Sequence, residues 1–166
     1  MLTREEIKQF LPHREPMLLV DDMDMEGDMA ISHYHVRGDE FFLQGHFPGK
    51  PIVPGVILCE IMGQSSAILL LDELKNRLTL YSGLNEVRFR QPVVPGDTIT
   101  VKARITARKG LIFFVDATAY VEDKVACKGK LSFVLVDPSM KPSPAIFITG
   151  QMTLRPTESP WSCSRD

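Results

Sequence analysis

The chain has 166 residues, 44% of them hydrophobic and 24% charged, with a formal net charge of -2. That length suits a single domain of the common ~100–150-residue size, and the near-neutral balance argues against a protein built on bulk basicity for nucleic acid or a membrane surface. No apolar run reaches the ~20 residues of a membrane-spanning helix, and the charged start MLTREEIKQF lacks the apolar centre of a signal peptide, so a cytoplasmic location is expected.

Thr3-Arg4-Glu5-Glu6 has the form of a capping box, in which Thr3 and Glu6 satisfy each other's free amides. The helix it opens is short, because Leu11 precedes Pro12 and a residue before proline is pushed out of helical backbone. His13-Arg14-Glu15-Pro16 makes a polar turn, with His13 expected to act as a structural hydrogen-bonder. Met17–Val20 reads as a strand bounded by Asp21-Asp22. Ala30–Val36 alternates as AISHYHV, the period-two pattern of a strand with two unlike faces. Its predicted partner is the Met17–Met25 run, turning near Gly27-Asp28.

The loop Gln44–Pro54 holds Gly45, Pro48, Gly49, Pro51 and Pro54, too many breakers for regular structure. From Gly55 to about Leu74 the spacing predicts one long helix. Its apolar residues, among them Val56, Leu58, Ile61, Met62, Ile68 and Leu70, cover nearly every direction, which marks a buried helix. The polar exceptions are Glu60, Gln64, Ser65 and Ser66. Glu60 and Gln64 are four apart and share a face. A buried carboxylate needs a partner or a reason, since desolvating it alone is costly.

Leu80–Arg90, Asp97–Lys109, Leu111–Glu122 and Val125–Val136 are rich in Val, Ile, Thr, Phe and Tyr. Breaks at Pro92–Asp97, Lys109-Gly110 and Glu122-Asp123-Lys124 fit an antiparallel meander. Charges recur at period two, as Arg88/Arg90, Lys102/Arg104 and Lys128/Lys130. Apolar neighbours such as Val87/Phe89 and Val101/Ala103 occupy the alternate face. One apolar sheet face and one buried helix imply an α+β domain in which the sheet wraps the helix. Residues 138–166 carry five of the twelve prolines and no clear period. They read as a disordered or loosely docked tail to a 1–137 domain, with Ala145–Ile148 as a candidate edge strand.

Several constellations are weighed for chemistry. Gly45-His46-Phe47-Pro48-Gly49-Lys50-Pro51 superficially resembles a phosphate-binding loop. It has one residue too few between its glycines, and Pro51 stands where a Ser/Thr would bind magnesium. His33 and His35 share a strand face, but no third ligand of matching spacing accompanies them, so no metal is assigned. Cys59, Cys127 and Cys163 form no CxxC pair and read as free thiols. His46 and Glu60 differ from all of these. A histidine suits a general base near neutral pH, and a carboxylic acid kept protonated by burial suits a general acid. Gly55 at the start of the buried helix offers a free N–H at the positive end of the dipole, an oxyanion-hole geometry. Together they suggest proton abstraction beside a carbonyl with loss of a group from the adjacent carbon. The alternative is a capped turn at His46 and a Glu60 paired with a buried arginine.

Three segments carry a family resemblance: LPHREPMLLVDDM at 11–23, FFLQGHFPGKPIVPGVILCEIMGQ at 41–64 and VRFRQPVVPGDTI at 87–99. Together they resemble the signature segments of the 3-hydroxyacyl-[acyl-carrier-protein] dehydratases of type II fatty-acid synthesis. The resemblance spans roughly residues 1–137 and implies a hot-dog fold, an antiparallel sheet around one long helix. It also implies homodimers, often three to a hexamer, with His46 from one subunit meeting Glu60 of the other. His46 would then remove the C2 proton, Glu60 would protonate the departing C3 hydroxyl, the Gly55 N–H would polarise the thioester carbonyl, and Gln64 would support Glu60. The substrate implied is a (3R)-hydroxyacyl chain on the acidic acyl carrier protein, and no cofactor is required. Glu at position 60, where related dehydratase/isomerases carry Asp, favours simple dehydration, with isomerase side activity as a variant. A hot-dog thioesterase and a non-catalytic acyl binder are the competing readings.

Overall fold

The structure, a computed structural model, describes residues 1–139. Seven strands form one antiparallel sheet: β1 Leu2–Thr3, β2 Asp22–Glu26, β3 Met29–His35, β4 Leu78–Phe89, β5 Thr98–Lys109, β6 Ile112–Val121 and β7 Lys124–Val136. Their order across the sheet is β1-β2-β3-β5-β6-β7-β4. The meander predicted over the four strands from Leu80 onward holds only for β5-β6-β7, because β4 pairs with β7 and not with β5. β4 adds to the far side of β7 and leaves its other edge unpaired among the described residues.

The short helix α1, Arg4–Ile7, begins at Thr3, whose amide donates to the Glu6 carboxylate at 2.7 Å. The central helix α2 spans Gly55–Ser65 and packs against β3, β5, β6 and β7. Leu58, Ile61 and Met62 of α2 are buried against Ile99, Val101, Val115 and Leu131 from the sheet. Each such side chain contributes about 1.5–3 kcal/mol by leaving water. Strand periodicity is clean where the sheet has one wet face. In β6 every second residue from Phe113 to Val121 is buried, and in β5 Ile99, Val101 and Ala103 point inward while Lys102 and Arg104 are exposed.

Three expectations need correction. Met17–Val20 is not a strand; β2 begins only at Asp22. Met17 is exposed and ends a turn closed on the Arg14 carbonyl, while Leu18, Leu19 and Val20 are buried, and side chains take the segment's backbone groups in place of a neighbouring strand. The Arg4 guanidinium donates to the carbonyls of Leu18 (2.7 Å) and Val20 (2.9 Å), and Gln64 bonds Met17 and Leu19. The long helix is also shorter than its apolar run, with a 3₁₀ segment over Ser66–Leu70. At the break the Ser66 hydroxyl donates back to the Met62 carbonyl at 2.8 Å, while its amide is shared among Met62, Gly63 and Gln64. Such back-bonding competes with the helical ladder and tightens the turn. Finally, Phe89 at the end of β4 does not face the core and is 54% exposed. The candidate strand at Ala145–Ile148 lies outside the described residues.

Candidate active site

The His46 side is built by the breaker-rich loop. After a 3₁₀ turn over Phe41–Leu43, the His46 amide donates to Leu43 and its carbonyl accepts from Ile52 at 2.8 Å, closing the loop on itself. The ring stacks on Phe47 with centroids 4.1 Å apart. Nδ1 lies 2.8 Å from the Ile52 carbonyl, an acceptor only, so Nδ1 must carry the proton. The Nε2 lone pair is then left for a substrate, the tautomer a base requires. His46 lines an open cleft of about 670 Å3 with Ile52, Pro54, Gly55, Val56 and Phe89. Gly55 is the first residue of α2, where the amides have no partner inside the helix. A Cβ there would come within 2.9 Å of the Phe89 ring, so any side chain at this position must displace that ring.

Glu60 lies in a second, smaller cavity of about 220 Å3, with apolar walls that include Leu11, Leu70, Leu80 and Phe133. Its side chain is 24% exposed. Gln64 Nε2 donates to Glu60 Oε1 at 2.8 Å, as the four-residue spacing anticipates. The other partner is not an arginine but His13, with Nε2 3.3 Å from the same oxygen. The contact with His13, together with the hydrogen bond from Gln64, outweighs burial and holds the Glu60 carboxyl below its ordinary value. The expectation that burial keeps this acid protonated is therefore overturned for the single chain: its partners hold it ionised.

Within one chain the candidate residues fall into two separate sets. His46 and Gly55 share the open cleft, while Glu60 and Gln64 share the inner cavity, and the two linings have no residue in common. His13, assigned by sequence to a turn, is the side chain that reading did not connect with Glu60. The signal available was its place in the first of the three matched segments. His33 and His35 are occupied by neighbours: His33 Nδ1 is 2.6 Å from the Asp22 carboxylate and His35 Nδ1 is 3.1 Å from the Thr98 hydroxyl. Among the described residues no group of three or more His, Cys, Asp or Glu side chains is placed to hold a metal.

Comparison with known proteins gives the family of the chain. Residues 11–130 match the FabA-like domain family. The chain is 40% identical over 138 residues to a 3-hydroxyacyl-[acyl-carrier-protein] dehydratase FabZ of Clostridium perfringens, covering 81% of this chain and 99% of that protein. Similar relatives with the same name occur in Clostridioides difficile (40% over 141 residues, 82% and 99% covered) and Staphylococcus aureus (40% over 136 residues, 80% and 93% covered). Among solved structures, a thioesterase from Haemophilus influenzae superposes with a TM-score of 0.63 at 15% identity, covering 84% of this chain and 94% of that one. A dehydratase heterocomplex from Xenorhabdus doucetiae gives 0.55 at 20% identity, covering 70% and 96%. At such identities the structural likeness speaks for the hot-dog fold alone.

Proposed function

We infer the activity from the premise that this chain belongs to the FabA-like domain family: it is a 3-hydroxyacyl-[acyl-carrier-protein] dehydratase, a lyase of fatty-acid synthesis. The observation that carries this is the 40% identity running across nearly the whole length of the FabZ relatives. The reaction converts a (3R)-hydroxyacyl thioester into the trans-2-enoyl thioester and water.

In the mechanism we propose, His46 Nε2 takes the C2 proton and the C2–H electron pair becomes the new double bond. The C3–O bond breaks, and Glu60 supplies the proton that lets the oxygen leave as water. The Gly55 amide stabilises charge on the thioester carbonyl, and Gln64 fixes the Glu60 carboxylate. The tautomer set by the Ile52 carbonyl supports the first role, and the apolar walls around Glu60 suit an acyl chain. Each proton-transfer group in such a scheme contributes typically ~10²–10⁴-fold. Because the two sets line different cavities of one chain, the active unit is a homodimer in which His46 of one copy faces Glu60 of the other, with a trimer of dimers as the larger assembly. The carrier protein is acidic. Cross-strand register aligns Lys102, Lys128 and Arg88 in one row across β5, β7 and β4, which offers it a cationic track. A cytoplasmic location accords with this pathway. No cofactor takes part.

Supplying 3-hydroxyacyl and saturated acyl thioesters separately tests the assignment. Enoyl absorbance is expected from the first and free thiol from neither. A thioesterase is the second reading, favoured by the ionised Glu60, which could activate water; free thiol without enoyl product would establish it instead. His46→Ala and Glu60→Gln are expected to fold and each lose at least about 10²-fold in kcat. Mixing the two variants restores activity if the site is shared between chains. No recovery despite demonstrated subunit exchange excludes sharing. The double-bond position in the product separates simple dehydration from isomerase side activity.

A further inference from the structure

Two side chains meet the Glu60 carboxylate, Gln64 through a hydrogen bond of 2.8 Å and His13 through Nε2 at 3.3 Å, and only one of them can exchange a proton. Gln64 is locked: its Oε1 accepts from the Leu19 amide at 2.8 Å, and its Nε2 serves both the Met17 carbonyl and Glu60. That fixes which end of the amide faces the carboxylate, and an amide donor does not titrate. The Tyr81 hydroxyl at the same cavity is committed to the Cys59 carbonyl at 2.5 Å, and burial pushes its ionisation far above neutral pH. Cys59 and Cys127 lie buried in the core, and the Thr79 hydroxyl does not ionise. The Arg14 guanidinium is spent on backbone carbonyls of Lys8, Leu11 and His13. His13 remains.

The His13 ring is not what holds its own turn together. Arg14 does that, through three bonds of 2.7–3.0 Å. The imidazole instead places Nε2 3.3 Å from Glu60 Oε1, and its Nδ1 is buried without a hydrogen-bond partner among the described residues.

We propose that His13 is a positioning residue for dehydration that shares a single proton with Glu60 and returns it to the carboxyl when substrate fills the cavity. The proposal rests on the dehydratase reading above. In the open cavity water favours the separated charges, imidazolium and carboxylate. An acyl chain that expels this water penalises charge separation, and the neutral pair, imidazole and carboxylic acid, becomes the favoured form. Glu60 is thereby armed as the acid only when substrate is present. Its proton leaves with the C3 oxygen as water, the C2 proton stays on His46, and the His13–Glu60 pair regains one proton from solvent as His46 releases its own.

The test uses the full chain with His13→Gln, which keeps a hydrogen-bond donor and removes the exchangeable proton, beside His13→Ala. For His13→Gln we expect kcat near pH 8 to fall about 10–100-fold with KM changed less than about threefold. The alkaline limb of the kcat profile moves at least about one pH unit toward acid, because Glu60 alone must then hold the proton. Wild-type kcat, or a uniform loss with the alkaline limb unmoved, overturns the proposal. A second readout needs no turnover. The ¹³C-labelled Glu60 carboxyl signal should titrate at higher pH in His13→Gln than in wild type, and an unchanged midpoint also overturns it. If wild type forms no enoyl product yet this midpoint moves, the dehydratase reading fails while the proton-sharing pair stands.

Discussion

Gln64 ties the site to the fold with one amide group. It satisfies the Leu19 N–H and the Met17 carbonyl, both in a segment that has no strand partner, and it holds Glu60 at the same time. Gln64→Leu strands those two backbone groups, so a loss of about 2–4 kcal/mol is expected in a denaturant titration. Activity should fall with it, as Glu60 loses one of its two anchors. Glu60 also carries a pH signature. Its folded-state pKa lies below the ordinary 4.5, chiefly through His13 and then Gln64. A depressed carboxyl contributes stability that is present above about pH 4.5 and drains away as pH falls through the lower folded value. Melting temperatures of wild type and Glu60→Gln taken from pH 6 to pH 3 should therefore converge toward the acid end, and parallel curves would refute the assignment. The Glu60–Gln64 bond is legible in the sequence because it follows from helical spacing. The His13 contact is not, since its partner lies across a polar turn that looks like any other.

At the level of elements, α2 is placed by a close approach that hydropathy does not reveal. Gly63 faces Tyr81 of β4 so tightly that a Cβ would fall on the Tyr81 hydroxyl and ring. That hydroxyl in turn bonds the Cys59 carbonyl one turn earlier, pinning helix to strand. Gly63→Ala gains helix propensity, worth up to ~1 kcal/mol. It must displace the ring, an overpacking cost of about 1–3 kcal/mol, so a net loss of thermal stability is expected. A rise in melting temperature would show that the strand yields freely. The same limit explains the misread helix end. An apolar run buried on all sides has no phase by which α and 3₁₀ segments differ, and the change at Ser66 depends on one hydroxyl. The error at Met17–Val20 has a similar cause. Its residues are as apolar as a strand's, but Arg4 and Gln64 supply the bonds that a neighbouring strand would.

For the whole molecule, the wrap of sheet around helix was readable from period-two patterning beside one fully apolar run, because both periods record which faces leave water. What periodicity cannot say is how the molecule completes its site. The described chain separates His46 from Glu60 and at the same time exposes apolar surface beside the His46 cleft: Val56 is 74% exposed, Phe89 54%, Phe47 53% and Val94 39%. A cluster of that kind is unusual on a monomer's surface and marks an interface. β4 lies at the end of the sheet order with a twelve-residue edge that no strand among the described residues pairs, a template that proteins normally cover. Both features lie toward the same end of the fold, since Phe89 ends β4 and packs on Gly55. Val56 supplies the sharpest probe, because a side chain so exposed contributes little to the fold of one chain. Val56→Glu should leave the circular dichroism spectrum unchanged but place a desolvated carboxylate in the contact between copies. Light scattering is expected to show monomer where wild type is dimer or larger, and dehydration should vanish although His46, Gly55, Glu60 and Gln64 are all intact. A monomeric Val56→Glu that still forms enoyl product would mean that one chain holds a complete site, and would require His46 and Glu60 to meet by a movement within the subunit.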